Sequence, residues 1–209
     1  MQLQNPLKAI CPSLEADVLM ALADGRASTP GGLVRERGIE ASISGARRCL
    51  ERLEESGVVE ATQVGNRTEY ALNPRHMLAE VIIEASRGTD RFIEFLSREI
   101  SQWPDGPLQV TLFGSAARRE MHNDSDIDLL FVIPDGAGDG LYERIGNLAV
   151  DGYSLTGNDV RPMIYEASEV RGAPIFDSIM REGIHVAGDQ NWLSRRLQSP
   201  KRPDAMTMR

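Results

Sequence analysis

The sequence predicts an α+β protein in two parts, and two patterns carry that prediction. Residues 1–75 hold three helix-like stretches and then two short extended stretches separated by a Gly-Asn pair. Residues 107–190 begin instead with an apolar strand, a Gly-Ser turn and a second apolar strand, after which helix and strand patterns alternate. Helical residues 76–106 link the two parts, and we expect the polar tail over residues 191–209 to be mobile.

The composition is that of a globular protein. The 209 residues are 41% hydrophobic and 26% charged, which suits one or two domains with an adequate core. No apolar run approaches the about 18 residues that span a bilayer, and residues 1–10 lack a signal-peptide pattern. Cys11 and Cys49 form neither a metal-binding spacing nor a disulfide framework. We therefore expect a cytoplasmic protein with no membrane partner.

The net charge of −8 is unevenly distributed along the chain. Residues 1–75 contain nine Lys and Arg against ten Asp and Glu, which is −1 and leaves −7 for the remainder. An acidic second half argues against broad, nonspecific nucleic-acid binding there. The nearly neutral first part can still present a basic face.

Three helices are predicted in the first part. Two short ones are predicted over residues 13–23, with Ser13 as the N-cap, and from Thr29-Pro30 to residue 37. The third covers residues 42–56, and its apolar side chains recur at helical spacing. These form a predicted buried stripe of Ile43, Ala46, Leu50 and Leu53.

The opposite side of the third helix is polar and basic, and a two-stranded hairpin follows it. The helix residues on this side are Ser44, Arg47, Arg48 and Arg52. The hairpin turns at Gly65-Asn66, which places Arg67 at its tip. An ordinary solvated helix face is the alternative interpretation for each arginine.

The order of these elements resembles the winged helix-turn-helix of bacterial transcriptional regulators. The amino-acid sequence of residues 44–59 is also similar to that family, and it reads Ser-Gly-Ala-Arg-Arg-Cys-Leu-Glu-Arg-Leu-Glu-Glu-Ser-Gly-Val-Val. The resemblance implies that the third helix enters the major groove of double-stranded DNA with its basic side, and that Arg67 meets a phosphate or the minor groove. A protein-interaction module is the alternative. A homodimer is the default for a regulator that reads paired half-sites.

The linking region, residues 77–100, is predicted to be helical, with Gly88 as a kink or break. Its aromatic residues are assigned to a core or a dimer seam rather than to a ligand site. Further along the chain, the pattern predicts a helix over 141–153, a strand over 158–165, a helix over 173–182 and a strand over 183–188. The inward side chains of the second of these helices are expected to be Ile175, Phe176 and Ile179.

The most informative stretch is Gly114-Ser115, followed ten residues later by Asp126-Ile127-Asp128 at the start of an apolar strand. Alternate strand residues share a face, so Asp126 and Asp128 point the same way. Two carboxylates on one face of a buried strand repel each other unless a cation lies between them, and Mg²⁺ prefers such oxygen ligands. Gly114 permits close approach of a ligand to the backbone. The alternative is a Gly-Ser turn beside acids that merely face water.

This stretch resembles the signature of the minimal nucleotidyltransferases, a group within the DNA polymerase β-like superfamily. The matching segments are Gly114-Ser115-Ala116-Ala117-Arg118 and Ser125-Asp126-Ile127-Asp128-Leu129. The resemblance implies a nucleotidyltransferase fold with a small mixed sheet, and a site for ATP or another nucleoside triphosphate. It also implies that Asp126 and Asp128 hold Mg²⁺ and act in catalysis. Gly114, Ser115, Arg118 and Ser125 are the implied nucleotide-binding residues.

The sequence departs from this family at a third carboxylate. Active members of the superfamily supply one from a downstream strand, where it holds a second metal ion or acts as a base. Aligned on Glu166-Ala167, the expected position holds Arg161. Asp159, about 6–7 Å away along the strand, is the candidate replacement and is assigned to catalysis. Because an arginine accepts no proton, the departure leaves catalysis open.

Three functions are compatible with these patterns. The first is an enzyme that transfers a nucleoside monophosphate from the Mg²⁺-bound triphosphate to a hydroxyl acceptor. The second is a non-catalytic regulator whose second domain only senses nucleotide or dimerises. The third is an antitoxin-like partner of a toxin protein, since minimal nucleotidyltransferases occur in such pairs. We adopt a DNA-binding transcriptional regulator fused to a nucleotidyltransferase-like domain.

Overall fold

The computed structural model describes residues 1–198, which fall into two compact units. The first unit is Met1–Arg91 and the second begins at Phe92, so the boundary lies within one helix and within the predicted linking region. No described helix is long and apolar enough to cross a membrane. After a short 3-10 helix at Pro6–Ala9, the helices and strands are α1 Leu14–Leu22, α2 Pro30–Arg35, α3 Ile43–Glu55, β1 Val59–Val64, β2 Arg67–Leu72, α4 Ala79–Ser86, α5 Gly88–Ser101, β3 Gln109–Phe113, α6 Gly114–Arg118, β4 Ile127–Ile133, α7 Asp139–Thr156, β5 Val160–Glu166, α8 Pro174–Glu182, β6 Ile184–Gly188 and α9 Trp192–Gln198.

The first unit contains three helices followed by an antiparallel hairpin, in the order that the sequence predicts. The Thr29 side chain accepts a hydrogen bond from the backbone N–H of Gly32 at 2.9 Å and so caps α2. Ser42 caps α3 in the same way through the N–H of Gly45, at 3.0 Å. The predicted cap of α1 is wrong, because the Ser13 side chain makes no hydrogen bond to the helix backbone and its hydroxyl donates to the Glu15 carboxylate instead. In the hairpin, β1 and β2 pair along their whole length, up to Val64 opposite Arg67.

The buried side of α3 differs from the predicted stripe at one residue. Ala46, Leu50 and Leu53 are buried as expected, together with Cys49. Ile43 is 39% exposed, so its assignment to the buried stripe is wrong. It is the first residue of α3 and directly follows the cap. Helical periodicity therefore identifies its side of the helix, but the packing of this end decides its exposure.

The second unit is built on a small mixed sheet. Its strand order is β5-β4-β3-β6, with β4 and β5 parallel and with β3 antiparallel to both of its neighbours. On one side of the sheet, Leu130 and Val132 of β4 pack in a core that includes Phe176 and Ile179 of α8. Ile175 is 36% exposed, so its predicted inward orientation is wrong. The helix is amphipathic, and Ile175 lies at the margin of its apolar side.

The segment predicted as a mobile tail begins with a packed helix. In α9, Leu193 is 1% exposed, and its backbone N–H donates a 2.8 Å hydrogen bond to Oε1 of Gln109 on β3. The prediction of a mobile tail is therefore wrong for residues 192–198, because one buried leucine and one backbone hydrogen bond anchor the helix. Residues 199–209, which hold the rest of that predicted tail, lie outside the described residues.

Candidate functional site

The predicted site residues of the second unit come together where three strands meet. Phe113, the last residue of β3, is the antiparallel partner of Asp128, and Asp128 is in turn the parallel partner of Arg161 on β5. Asp126 lies just before β4 and is separated from Asp128 by the fully buried Ile127. Since successive residues face opposite sides of a strand, both carboxylates lie on the side away from Ile127.

Gly114 is required at this point of the chain because Asp128 lies against it. Its φ is +71°, a conformation that residues with a Cβ rarely adopt. A Cβ built on Gly114 would lie 2.5 Å from Oδ2 of Asp128, well inside van der Waals contact. The sequence predicted a glycine that admits a ligand to the backbone, and the structure places the Asp128 carboxylate there.

The Asp128 carboxyl is subject to opposing electrostatic influences. Burial raises its pKa above the ordinary value, and the neighbouring Asp126 charge raises it further. Arg161 and Arg118 act in the opposite direction and favour the ionised form. The charged form of Asp128 is thus stabilised by whatever positive charge lies nearby.

Arg161 is that charge for the strand cluster, and it is directly paired with acids. Its Nη1 lies 2.6 Å from Oδ2 of Asp126, and its Nε lies 3.3 Å from Oδ2 of Asp159. The Arg161 and Asp159 side chains are 62% and 65% exposed, whereas that of Asp126 is 30% exposed. Asp159, which we assigned to the role of the third carboxylate, therefore pairs with Arg161, the residue at the position where the family has that carboxylate. Its catalytic role stays a prediction.

The remaining predicted nucleotide residues surround the cluster with partners of their own. Ser115 is the second residue of α6 and is partly buried. Arg118, at the end of α6, is bound by Glu120 at 2.8 Å and by Glu182 at 3.4 Å. The Ser125 hydroxyl accepts a 2.8 Å hydrogen bond from the N–H of His122 and closes the turn before Asp126.

One positioning residue, Asn158, was not predicted from the sequence. Asn158 is 3% exposed and donates a 2.7 Å hydrogen bond from its side-chain amide to the backbone carbonyl of Ser125. It therefore anchors the turn before Asp126 to the start of β5. In the sequence, Gly157-Asn158 has the composition of an ordinary turn, and no local pattern indicates a partner 33 residues away.

The donor atoms at this site fit one hard divalent cation. Asp126 and Asp128 supply carboxylate oxygens, which Mg²⁺ prefers, and the Asp128 carboxylate lies against Gly114. Within residues 1–198, no three His, Cys, Asp or Glu side chains form a group suited to a metal ion. The protein thus offers two carboxylates to a metal, and a bound nucleotide and water would have to complete its coordination.

The predicted DNA-contacting residues of the first unit lie on its surface. Ser44, Arg47 and Arg48 are exposed near the N-terminal end of α3, and Arg67 is exposed where β2 begins. Arg52 is different, because its guanidinium binds the carboxylate of Glu15 on α1. That ion pair ties α3 to α1. Glu15 lies 37 residues before Arg52, so no local sequence pattern indicates this partner.

Comparisons with known proteins gave one family match. Residues 90–185 match the sequence model of the family described as nucleotidyltransferase domain. A search of curated proteins gave no match.

Three solved structures resemble part of the chain. A toxin–antitoxin structure with AMP-PNP shares 20% identity over 51% of this chain and 82% of its own, with a TM-score of 0.37. A mutant of the toxin–antitoxin MntA–HpeT shares 18% over 52% and 82%, with a TM-score of 0.35. A nucleotidyltransferase candidate from Sulfolobus solfataricus shares 17% over 46% and 80%, with a TM-score of 0.25. These likenesses are too distant to bear on function.

Proposed function

We propose that the second unit binds a nucleoside triphosphate with Mg²⁺ at Asp126 and Asp128. The observation that carries this proposal is the seating of the Asp128 carboxylate against the backbone of Gly114, with Asp126 on the same side of β4. Two acids on one face of a strand, one of them partly buried, are costly for a fold to maintain, and a metal-bound nucleotide gives the pair a use. When bound, Mg²⁺ would neutralise part of the triphosphate charge and orient it for transfer.

The chain's own groups would position the nucleotide. Ser115, the next residue along the chain, is partly buried and can offer its hydroxyl to a phosphate. Arg118 can offer its guanidinium to a phosphate, provided that it exchanges one of its two glutamate partners for the ligand. The Ser125 hydroxyl keeps its proton free to donate while its oxygen accepts from His122.

Nucleotidyl transfer and nucleotide sensing are both compatible with this site. Transfer forms a bond between a hydroxyl oxygen of the acceptor and the α-phosphorus, breaks the bond to pyrophosphate and requires a base for the hydroxyl proton. Arg161 cannot take that proton, and Asp159 is engaged by Arg161. This ion pair favours sensing without turnover as the second candidate function.

Calorimetry of the full chain with ATP and Mg²⁺ tests the nucleotide site. Combined substitution Asp126→Ala and Asp128→Ala removes both carboxylates and is expected to abolish Mg²⁺-dependent binding. The matched control removes two exposed acids of the same unit, Asp105→Ala and Asp151→Ala, and should bind as the wild type does. Unchanged binding in the Asp126 and Asp128 double variant would exclude the assigned site.

Incubation with α-labelled ATP and Mg²⁺, alone and with cell extract, separates the candidate functions. Label transfer that disappears in the Asp128→Ala variant would establish an enzyme, and recovery of the label on a protein would favour the antitoxin-like alternative. No transfer alongside measurable ATP affinity would favour the sensor.

We further propose that the first unit is a winged helix-turn-helix that binds double-stranded DNA and regulates transcription. Support comes from the element order and from the exposed basic N-terminal end of α3, which Arg52 does not share because Glu15 holds it. The near-neutral charge of residues 1–75 is compatible with such a local basic face. Dimerisation on paired half-sites belongs to the same proposal.

Gel retardation on DNA from the protein's own promoter region tests this surface. Arg48→Ala should weaken binding about 3- to 10-fold and reduce the salt dependence by about one counterion, as expected for one lost phosphate contact. Arg75→Ala is the control, because Arg75 lies near the other end of α3. Its neighbour Asn73 donates a hydrogen bond to the carbonyl of Gly57, just beyond the C-terminal end of that helix. Equal retardation of wild type and Arg48→Ala at every salt concentration would count against the interface.

A further inference from the structure

We propose that Arg161 is a built-in cation of the nucleotide site and takes the place of one divalent metal ion. The inference rests on the nucleotide site proposed above and adds to it the number of metal ions bound with each nucleotide. Arg161 contacts Asp126 through Nη1 at 2.6 Å and Asp159 through Nε at 3.3 Å. Two of the three carboxylates around the start of β4 and β5 therefore already have a positive partner within the chain.

The backbone fixes Arg161 at this place. It is the parallel strand partner of Asp128, so the two Cα atoms lie on neighbouring strands about 5 Å apart and their side chains share a face. From this position the guanidinium reaches Asp126. Its positive charge is also permanent, since arginine is not deprotonated in proteins. A metal ion that uses Asp126 must compete with this charge.

The charge balance gives the size of the effect. Three carboxylates and one guanidinium leave a charge of −2 on Asp126, Asp128, Asp159 and Arg161, which one divalent cation neutralises. A carboxylate at position 161 would make the same cluster −4, which calls for two divalent cations, as in sites that use a metal pair. Replacing a carboxylate by arginine therefore changes the charge of the cluster by +2, which is the charge of one divalent metal ion.

The donor atoms lead to the same number. Two metal ions held close together share carboxylates and need further oxygen ligands from the protein. Within the described residues 1–198, no group of three potential metal ligands is present, and one oxygen of Asp126 is occupied by Arg161. The chain therefore has ligands for one metal ion and a fixed cation beside it.

The test counts Mn²⁺ ions per bound nucleotide in the full-length protein. Mn²⁺ replaces Mg²⁺, a non-hydrolysable ATP analogue is present at saturation, and electron paramagnetic resonance measures the free Mn²⁺. We expect about one Mn²⁺ per nucleotide for the wild type and for Arg161→Lys, and about two for Arg161→Asp. Arg171→Asp changes the net charge equally at an exposed position after β5 and should stay at about one.

Each outcome decides the proposal. Two Mn²⁺ per nucleotide in the wild type would overturn it, and this result needs no variant to fold. A folded Arg161→Asp variant that binds only one Mn²⁺, or that no longer binds the analogue, would overturn it as well. Wild-type protein that binds no analogue in the presence of Mn²⁺ would refute the underlying nucleotide site, whereas binding with two metal ions would refute only the role of Arg161.

Discussion

Replacing Gly114 by alanine isolates the contact between the backbone and the Asp128 carboxylate. An alanine at φ +71° costs about 1–2 kcal/mol of folding free energy, because its Cβ crowds the backbone in the left-handed region. Gly157 has nearly the same φ, +70°, and a Cβ there meets nothing within 4 Å. Gly157→Ala therefore carries the same backbone cost without a neighbour, and it serves as the matched control.

The additional effect of Gly114→Ala follows from the 2.5 Å between its Cβ and Oδ2 of Asp128. The carboxylate must rotate away, at a cost of about 0.5–1.5 kcal/mol if it leaves a staggered rotamer. The two variants should therefore differ in free energy of unfolding by no more than about 1.5 kcal/mol. Because the rotated carboxylate no longer faces the site, Mg²⁺-dependent affinity for ATP should fall at least about 10-fold in Gly114→Ala, which is about 1.4 kcal/mol of binding free energy.

Calorimetric titration of both glycine variants with ATP and Mg²⁺, alongside their denaturant unfolding curves, measures the two quantities separately. Wild-type affinity in Gly157→Ala combined with weakened affinity in Gly114→Ala is the expected pattern. Equal affinity in the two variants would refute the reasoning, since it would mean that the orientation of Asp128 is irrelevant to nucleotide binding.

Two further substitutions test what stabilises each unit separately, Glu15→Gln in the first unit and Leu193→Ala in the second. Hydrogen bonds from Ser13 and then Arg52 lower the pKa of Glu15 from 4.5 to about 2, so their stabilising effect is present above pH 4.5 and is lost as the pH falls towards 2. In denaturant unfolding at pH 7, Glu15→Gln should lower the free energy of unfolding by about 1 kcal/mol, a figure reduced for solvent screening at Arg52. The difference from wild type should shrink below pH 4.5. A difference that does not change with pH would contradict this reasoning. Leu193→Ala should destabilise the second unit by about 2–4 kcal/mol in thermal or denaturant unfolding, because it empties a buried position, whereas the exposed Arg196→Ala should have almost no effect; equal stabilities would mean that α9 adds little to the core.

Local sequence determined the elements of this protein and the pairing of its two acids. Thr29 and Ser42 cap their helices through hydrogen bonds that reach only three residues along the chain. Asp126 and Asp128 share a face because side chains alternate along any strand. Such features depend on near neighbours in the sequence, and therefore periodicity predicts the helices and the shared face, although the predicted cap Ser13 binds Glu15 rather than the helix backbone.

Tertiary structure alone decided which partners these residues meet. The register of β4 against β5 brings Arg161 to Asp126, and the packing of α3 gives Arg52 an ion-pair partner 37 residues away on α1. The tight fit of Gly114 likewise depends on Asp128 from the next strand. Strand register and helix packing are set by the burial of whole faces, and that information is spread over the chain rather than contained in any one motif.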